Sequence, residues 1–222
     1  MSIHRMIFVT LCVLGSNSVV AALSSASHPV FGEAALTVDS EQRLAWLTPN
    51  ATVGLSFVDV RNLLMSDSRF SGFRVATMIE LEALYSHAFI PDINVPGYGA
   101  FYGTSENVPG ALYLQSLTGV TYSAEIGGLS LFETAGFVGN SFVNPINGFL
   151  TVALGDVVVR TDVRTAFGTA SFASAYTTLT SVLIGTNYEG VGAWLVSAVP
   201  EPNSGALVIL AVVALTFNVR RR

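Results

Sequence analysis

The two ends of the chain constrain its fold most, because neither suits the interior of a water-soluble body. The C-terminal stretch reads Pro200-Glu201-Pro202, an apolar run from Gly205 to Val219, then Arg220-Arg221-Arg222. Prolines cannot join an ordinary helix interior, so the triplet separates the tail from the chain before it. The apolar run predicts a single hydrophobic helix that enters a bilayer, and the arginines hold its end in the cytoplasm. About 15 residues rising 1.5 Å each reach roughly 23 Å, less than a ~30 Å hydrocarbon core. So short a span suits a transient handle, although local thinning of the bilayer also accommodates it.

The N-terminal stretch predicts export. His4 and Arg5 form a small polar region ahead of an apolar core over residues 6–14, the length of a signal peptide. Small residues then offer cleavage after Ala22 (Val20-Ala21-Ala22) or after Ala26 (Ser24-Ser25-Ala26). The only cysteine, Cys12, lies inside this segment. The mature chain is therefore expected to have no disulfide, thiol nucleophile or thiolate metal site. Apolar residues continue after Cys12, and no small-residue lipobox precedes it, which argues against a lipoprotein.

On Val199-Pro200-Glu201-Pro202, the hydrophobic segment and the basic end, the tail resembles the PEP-CTERM sorting tail of exported bacterial proteins. The resemblance covers about a tenth of the chain. It implies an exosortase as partner, a membrane-embedded enzyme of cysteine transpeptidase type that removes or exchanges the tail at the cell surface. It further implies processing by signal peptidase, a passing stay in the inner membrane, and a Gram-negative-type envelope that produces exopolysaccharide. Pro200, Glu201 and Pro202 would be the sorting motif, and Arg220, Arg221 and Arg222 the basic stop. Removal of the tail and its retention as an anchor both stay open.

Three expected segments follow: a signal peptide over 1–26, an extracytoplasmic domain over 27–199, and a sorting tail over 200–222 with its apolar span at 205–219. The middle part is one domain's length and long enough to bury a core. It holds six arginines against fourteen acids, a net charge of −8, and the chain contains no lysine. That field repels phosphate backbones, which excludes nucleic acid as a partner.

Residues 44–90 carry the clearest pattern. Leu44-Ala45-Trp46-Leu47 reads as a short strand ended by Thr48-Pro49-Asn50. Ser56 and Asp59 form a capping box, and Phe57, Val60, Leu63 and Leu64 give the following helix one apolar face, which fades near Asp67 before a turn at Ser71-Gly72. Thr77 and Glu80 open a second helix, with Leu81, Leu84, Tyr85 and Ala88 toward the core and Pro91 as its stop. Beyond residue 96 the period falls to two. Val120, Tyr122, Ala124 and Ile126 share a strand face, and Gly127-Gly128 turns the chain into Leu129–Glu133. Further strands are expected over 112–116, 149–154, 157–160, 179–184 and 192–199, with a long surface loop over 94–110.

The fold expected is α+β: two N-terminal helices followed by a strand-rich antiparallel half, plus the single C-terminal hydrophobic helix. The block from Trp46 through Gly72-Phe73-Arg74-Val75-Ala76-Thr77 and Glu80-Leu81 looks like a module recurrent in PEP-CTERM proteins. It is also distantly similar to the first half of C-type-lectin-like folds, and Gly192-Ala193-Trp194-Leu195-Val196 to their final strand, which pairs with the first. The structural cysteines of that pattern are missing. Glu201-Pro202-Asn203 spells a calcium-site motif, but it lies in the tail, so sugar binding does not follow.

Catalytic signals are sparse. No Gly-x-Ser-x-Gly elbow accompanies His28 or His87, and zinc would need more His or Cys ligands than the chain supplies. No cofactor or metal site is expected, calcium through scattered carboxylates staying an open alternative. Glu80 and Glu82 read as helix-start charges, Asp156 and Asp162 around Arg160 as turn and strand-edge charges, and Arg74 as half of a structural ion pair. Tyr98 and Tyr102, on the Gly-rich loop, are candidate sugar contacts. The expected function is that of an exported, non-enzymatic protein of the cell surface or extracellular matrix, associated with exopolysaccharide or biofilm. The alternatives are a carbohydrate-binding module and a secreted hydrolase using paired carboxylates, whose pairing is spatial and invisible in sequence.

Overall fold

Local signals build the first half of the fold. A computed structural model describes residues 22–91, 104–126, 128–143, 149–165 and 168–199. Strands β1 (Leu23–His28), β2 (Gly32–Asp39) and β3 (Leu44–Leu47) lead into a short 3-10 turn at Pro49–Thr52. Helix α1 (Phe57–Ser66) follows, with both hydrogen bonds of the Ser56–Asp59 capping box in place. A two-residue strand β4 (Arg74–Val75) precedes α2 (Met78–His87), whose Thr77–Glu80 box is likewise complete. Leu81, Leu84, Tyr85 and Ala88 are fully buried, as the helical spacing requires.

The second half contains α3 (Val108–Thr118), β5 (Tyr122–Ile126), and three long strands, β6 (Leu129–Val143), β7 (Leu150–Thr165) and β8 (Gly168–Leu183). Two short strands, β9 (Val191–Ala193) and β10 (Leu195–Ala198), close the body. The first sheet has the order β1-β2-β3-β10-β4. The second runs β5-β6-β7-β8, with β9 parallel to β6 on its other side.

The expected α+β order is corrected. Strands come first, since β1 and β2 precede the helices, and the body is strand-rich, with two sheets antiparallel apart from the β6–β9 pair. Three α-helices stand among the described residues, not two. Residues 112–116 are not a strand, and 108–110 are not loop; both belong to α3. Ala111, Leu114, Gln115 and Thr118, all buried, lie at i, i+3, i+4 and i+7, a helical signal masked by the Pro109-Gly110 pair at its start. Gly110 is needed there, because a Cβ would lie 2.6 Å from the Ala88 carbonyl oxygen and 2.7 Å from that of Phe89. The strand expected at 192–199 divides at Trp194, and its second part pairs with β3, the strand of Trp46, and on its other side with β4. The C-terminal helix expected over 205–219 lies outside the described residues. Among those residues no helix is long and apolar enough to cross a membrane.

Trp194 is where the chain passes from one sheet to the other. Its backbone N–H donates to the Phe137 carbonyl in β6, and its own carbonyl accepts from Ala76 beside β4. The indole is fully buried, packs edge-on against Trp46 and Tyr85, and donates from Nε1 to the Gly155 carbonyl at 3.0 Å. One apolar core joins Trp46, α2, α3 and one face of the second sheet through Val138, Val157 and Val159. A second packs α1 through Phe57 and Val60 against Leu47, Phe137 and Leu195. Strand β3, buried along its whole length, has a core on each side.

Candidate functional site

Most residues singled out in the sequence as a site fall outside the described residues: Pro200, Glu201, Pro202, Arg220, Arg221, Arg222, Tyr98 and Tyr102. Among the described residues, besides an exposed Asp67–Arg69 ion pair, the fold brings together three groups of polar side chains, each of which can be asked what chemistry it permits.

The first surrounds His87 in the last turn of α2. Asp39 ends β2 with its side chain fully buried. Its Oδ1 accepts from the backbone N–H groups of Glu41 and Gln42, both at 3.0 Å, which closes the turn into β3. Its Oδ2 accepts from Gln42 Nε2 and lies 2.8 Å from His87 Nδ1. His87 Nε2 in turn lies 3.1 Å from Glu41 Oε2. Gln42 also donates to the Glu80 carbonyl, so the cluster ties the β2–β3 turn to both ends of α2. A Ser-His-Asp arrangement needs the second ring nitrogen to face a nucleophile. Here it faces a carboxylate, and the histidine is a structural clamp.

The second group is Arg74, Thr77 and Glu80 at the start of α2. Arg74 donates from both terminal nitrogens to the two Glu80 oxygens, a bidentate pair. The expected structural ion pair is therefore present. The Arg74 guanidinium holds the Glu80 carboxyl down to about 2, helped by the Thr77 N–H and hydroxyl and opposed by burial. A shallow groove of about 470 Å³ opens beside this pair, bordered by Phe57, Arg61, Met65, Arg74, Gly139 and Asn140.

The third group was not legible in the sequence. Strand register sets Leu131 opposite Arg160, Glu133 opposite Val158 and Ala135 opposite Asp156, so Glu133, Asp156 and Arg160 share one face of the second sheet. Asp156 is not a turn charge, as expected, but a mid-strand residue only 3% exposed. Burial pushes the Glu133 carboxyl up, against the pull of the Arg160 guanidinium and a hydrogen bond with Asp156. Two carboxyls in contact beside a guanidinium are the raw material of general acid–base chemistry. The groove, however, is not lined by any of the three. The signal that could have placed two of them is the spacing Asp156-Val157-Val158-Val159-Arg160, in which charges four residues apart stay on one face of a strand.

Among the described residues no group of three His, Cys, Asp or Glu side chains is arranged to hold a metal ion. No protein-family model matches the chain, and neither a curated protein nor a solved structure is significantly similar to it.

Proposed function

We propose that this is an exported protein of the cell surface or extracellular matrix, sorted through its Pro200-Glu201-Pro202 tail and non-enzymatic in its folded body, where it associates with exopolysaccharide. One observation carries this reading. The last strand, β10, is an interior strand between β3 and β4, ending at Ala198, and Val199 is still tied down by donating its N–H to the Arg43 carbonyl. The last strand thus ends two residues before Pro200, and in this reading the Pro-Glu-Pro triplet that follows it in sequence is the handle for an exosortase-type enzyme. The engagement of both His87 nitrogens with carboxylates supports a body without catalytic histidine chemistry.

Glu201→Gln, and separately deletion of Arg220–Arg222, should leave protein that is unprocessed and retained at the inner membrane. Fractionation and intact mass of the exported material check this, and unchanged surface delivery of both variants overturns it. A second reading, a secreted hydrolase using paired carboxylates, has the Glu133–Asp156 contact in its favour. Release of reducing ends from exopolysaccharide by the wild-type protein, abolished by Glu133→Gln and Asp156→Asn, would establish it, and an inactive wild type removes it.

A further inference from the structure

Two bonds satisfy the small-residue pattern for signal cleavage equally well, Ala22–Leu23 and Ala26–Ser27. The fold distinguishes them. Strand β1 starts at Leu23 and pairs with β2 through Leu23 opposite Asp39, Ser24 opposite Val38, Ser25 opposite Thr37 and Ala26 opposite Leu36. The Leu23 side chain is 2% exposed and belongs to the core that holds Trp46 and Trp194. Its carbonyl accepts from the Tyr113 hydroxyl at 2.8 Å, a bond that fastens α3 to the first sheet.

Cutting after Ala26 would delete all of this. Only Ser27 and His28 would remain of β1, a core position would empty, and the unpaired edge of β2 would face solvent. Cutting after Ala22 removes much less. The Ala22 carbonyl accepts from the N–H and the hydroxyl of Ser40, which is exposed, so water replaces both bonds. A protease also needs its substrate as a free extended segment. Once β1 is paired, the Ala26–Ser27 bond lies within the strand, at the irregularity between the Ala26–Leu36 and His28–Gly32 pairs, whereas Ala22–Leu23 lies at the strand's outer end.

We propose that signal peptidase cuts the Ala22–Leu23 bond, by hydrolysis that frees a new ammonium on Leu23, and that Leu23-Ser24-Ser25-Ala26 forms the first four of the six residues of the mature protein's edge strand. This rests on residues 1–22 being an export signal. The test uses the full chain in an exporting Gram-negative host, with intact mass and N-terminal sequencing of the wild type and of Ala22→Gln and Ala26→Gln. The expected result is a wild-type N-terminus at Leu23, uncleaved precursor for Ala22→Gln, and normal cleavage for Ala26→Gln. A wild-type N-terminus at Ser27, or a precursor that accumulates only in Ala26→Gln, overturns the proposed site while leaving export intact. Protein that retains its N-terminal segment in the wild type and both variants overturns the export reading itself.

Discussion

The two sheets are built from the same chain by different means. The first uses strands of two to eight residues, and its geometry is held by turns, caps and side-chain clamps such as Asp39–His87 and Arg74–Glu80. The second is dominated by three strands of 15 or 16 residues, whose register alone decides which side chains meet. The consequence is visible in the charges. In the first sheet they sit at element ends, where capping and turns account for them. In the second, Glu133 and Asp156 sit in mid-strand, where only cross-strand pairing brings them together.

The seam between the sheets is the place to break this comparison. A Cβ at Gly192 would collide with the Pro49 carbonyl oxygen and lie 2.8 Å from its carbonyl carbon, a backbone that cannot rotate away. Gly192→Ala is expected to cost about 3 kcal/mol or more, or at least roughly 6 °C in thermal midpoint, measured by calorimetry. A cost below about 1 kcal/mol would mean that the β9–β10 corner is looser than described.

The two tryptophans sharpen the comparison further. Both are fully buried and touch edge-on, but Trp194 Nε1 donates to Gly155 while Trp46 Nε1 has no hydrogen-bond partner among the described residues. Trp194→Phe deprives a buried carbonyl of its donor, whereas Trp46→Phe removes a donor that is already unpaired. Trp194→Phe should therefore be the more costly by about 1–3 kcal/mol in urea denaturation, and equal costs would contradict the bonding described.

Smaller effects test the caps. Ser56→Ala and Thr77→Ala should each lose about 1 kcal/mol, with Thr77→Ala also loosening the Glu80 side chain that Arg74 holds. The smallest effects are in pH dependence, where the two halves act with opposite sign. Glu80, lowered from 4.5 to about 2, contributes stability above 4.5 that is lost as pH falls toward 2. Glu133 is raised, so its contribution is fully present below 4.5 and is lost as pH climbs through its folded value. Thermal midpoints across pH should lose part of their acid slope in Glu80→Gln and part of the slope above 4.5 in Glu133→Gln. The partly exposed Glu80 pair should contribute under about 1 kcal/mol.

Legibility in the sequence follows the range of the interactions. Ser56–Asp59 and Thr77–Glu80 were readable because a capping box lies within four consecutive residues and the apolar face repeats every turn. Trp46 and its strand were readable as a continuous apolar run. Helix α3 was missed because Pro109 and Gly110 resemble a loop until the carbonyls of Ala88 and Phe89 show why no Cβ is allowed. Strands β1 and β2 were missed because Ser24, Ser25, Ala26, Ala34 and Ala35 carry almost no hydrophobic alternation, and β1 overlaps the export segment. Asp156 was misplaced for a related reason. A charge among valines resembles a strand edge until a neighbouring strand supplies Glu133 beside it.

By itself the sequence determined the starts of α1 and α2, the faces those helices bury, and the acidic and lysine-free character of the body. Each of these depends on neighbours a few residues apart or on composition, and is written where it acts. Only the tertiary structure decided that strands precede the helices, that β10 enters the middle of the first sheet, and that Trp194 joins both sheets to one core. It also decided that Leu23 belongs to the body and that Glu133 meets Asp156. Those outcomes depend on pairings between residues some 16 to 150 positions apart, such as Leu23 with Asp39 and Leu195 with Leu47. No local pattern encodes such a pairing; it is selected by which faces, once brought together, leave the least apolar surface in water.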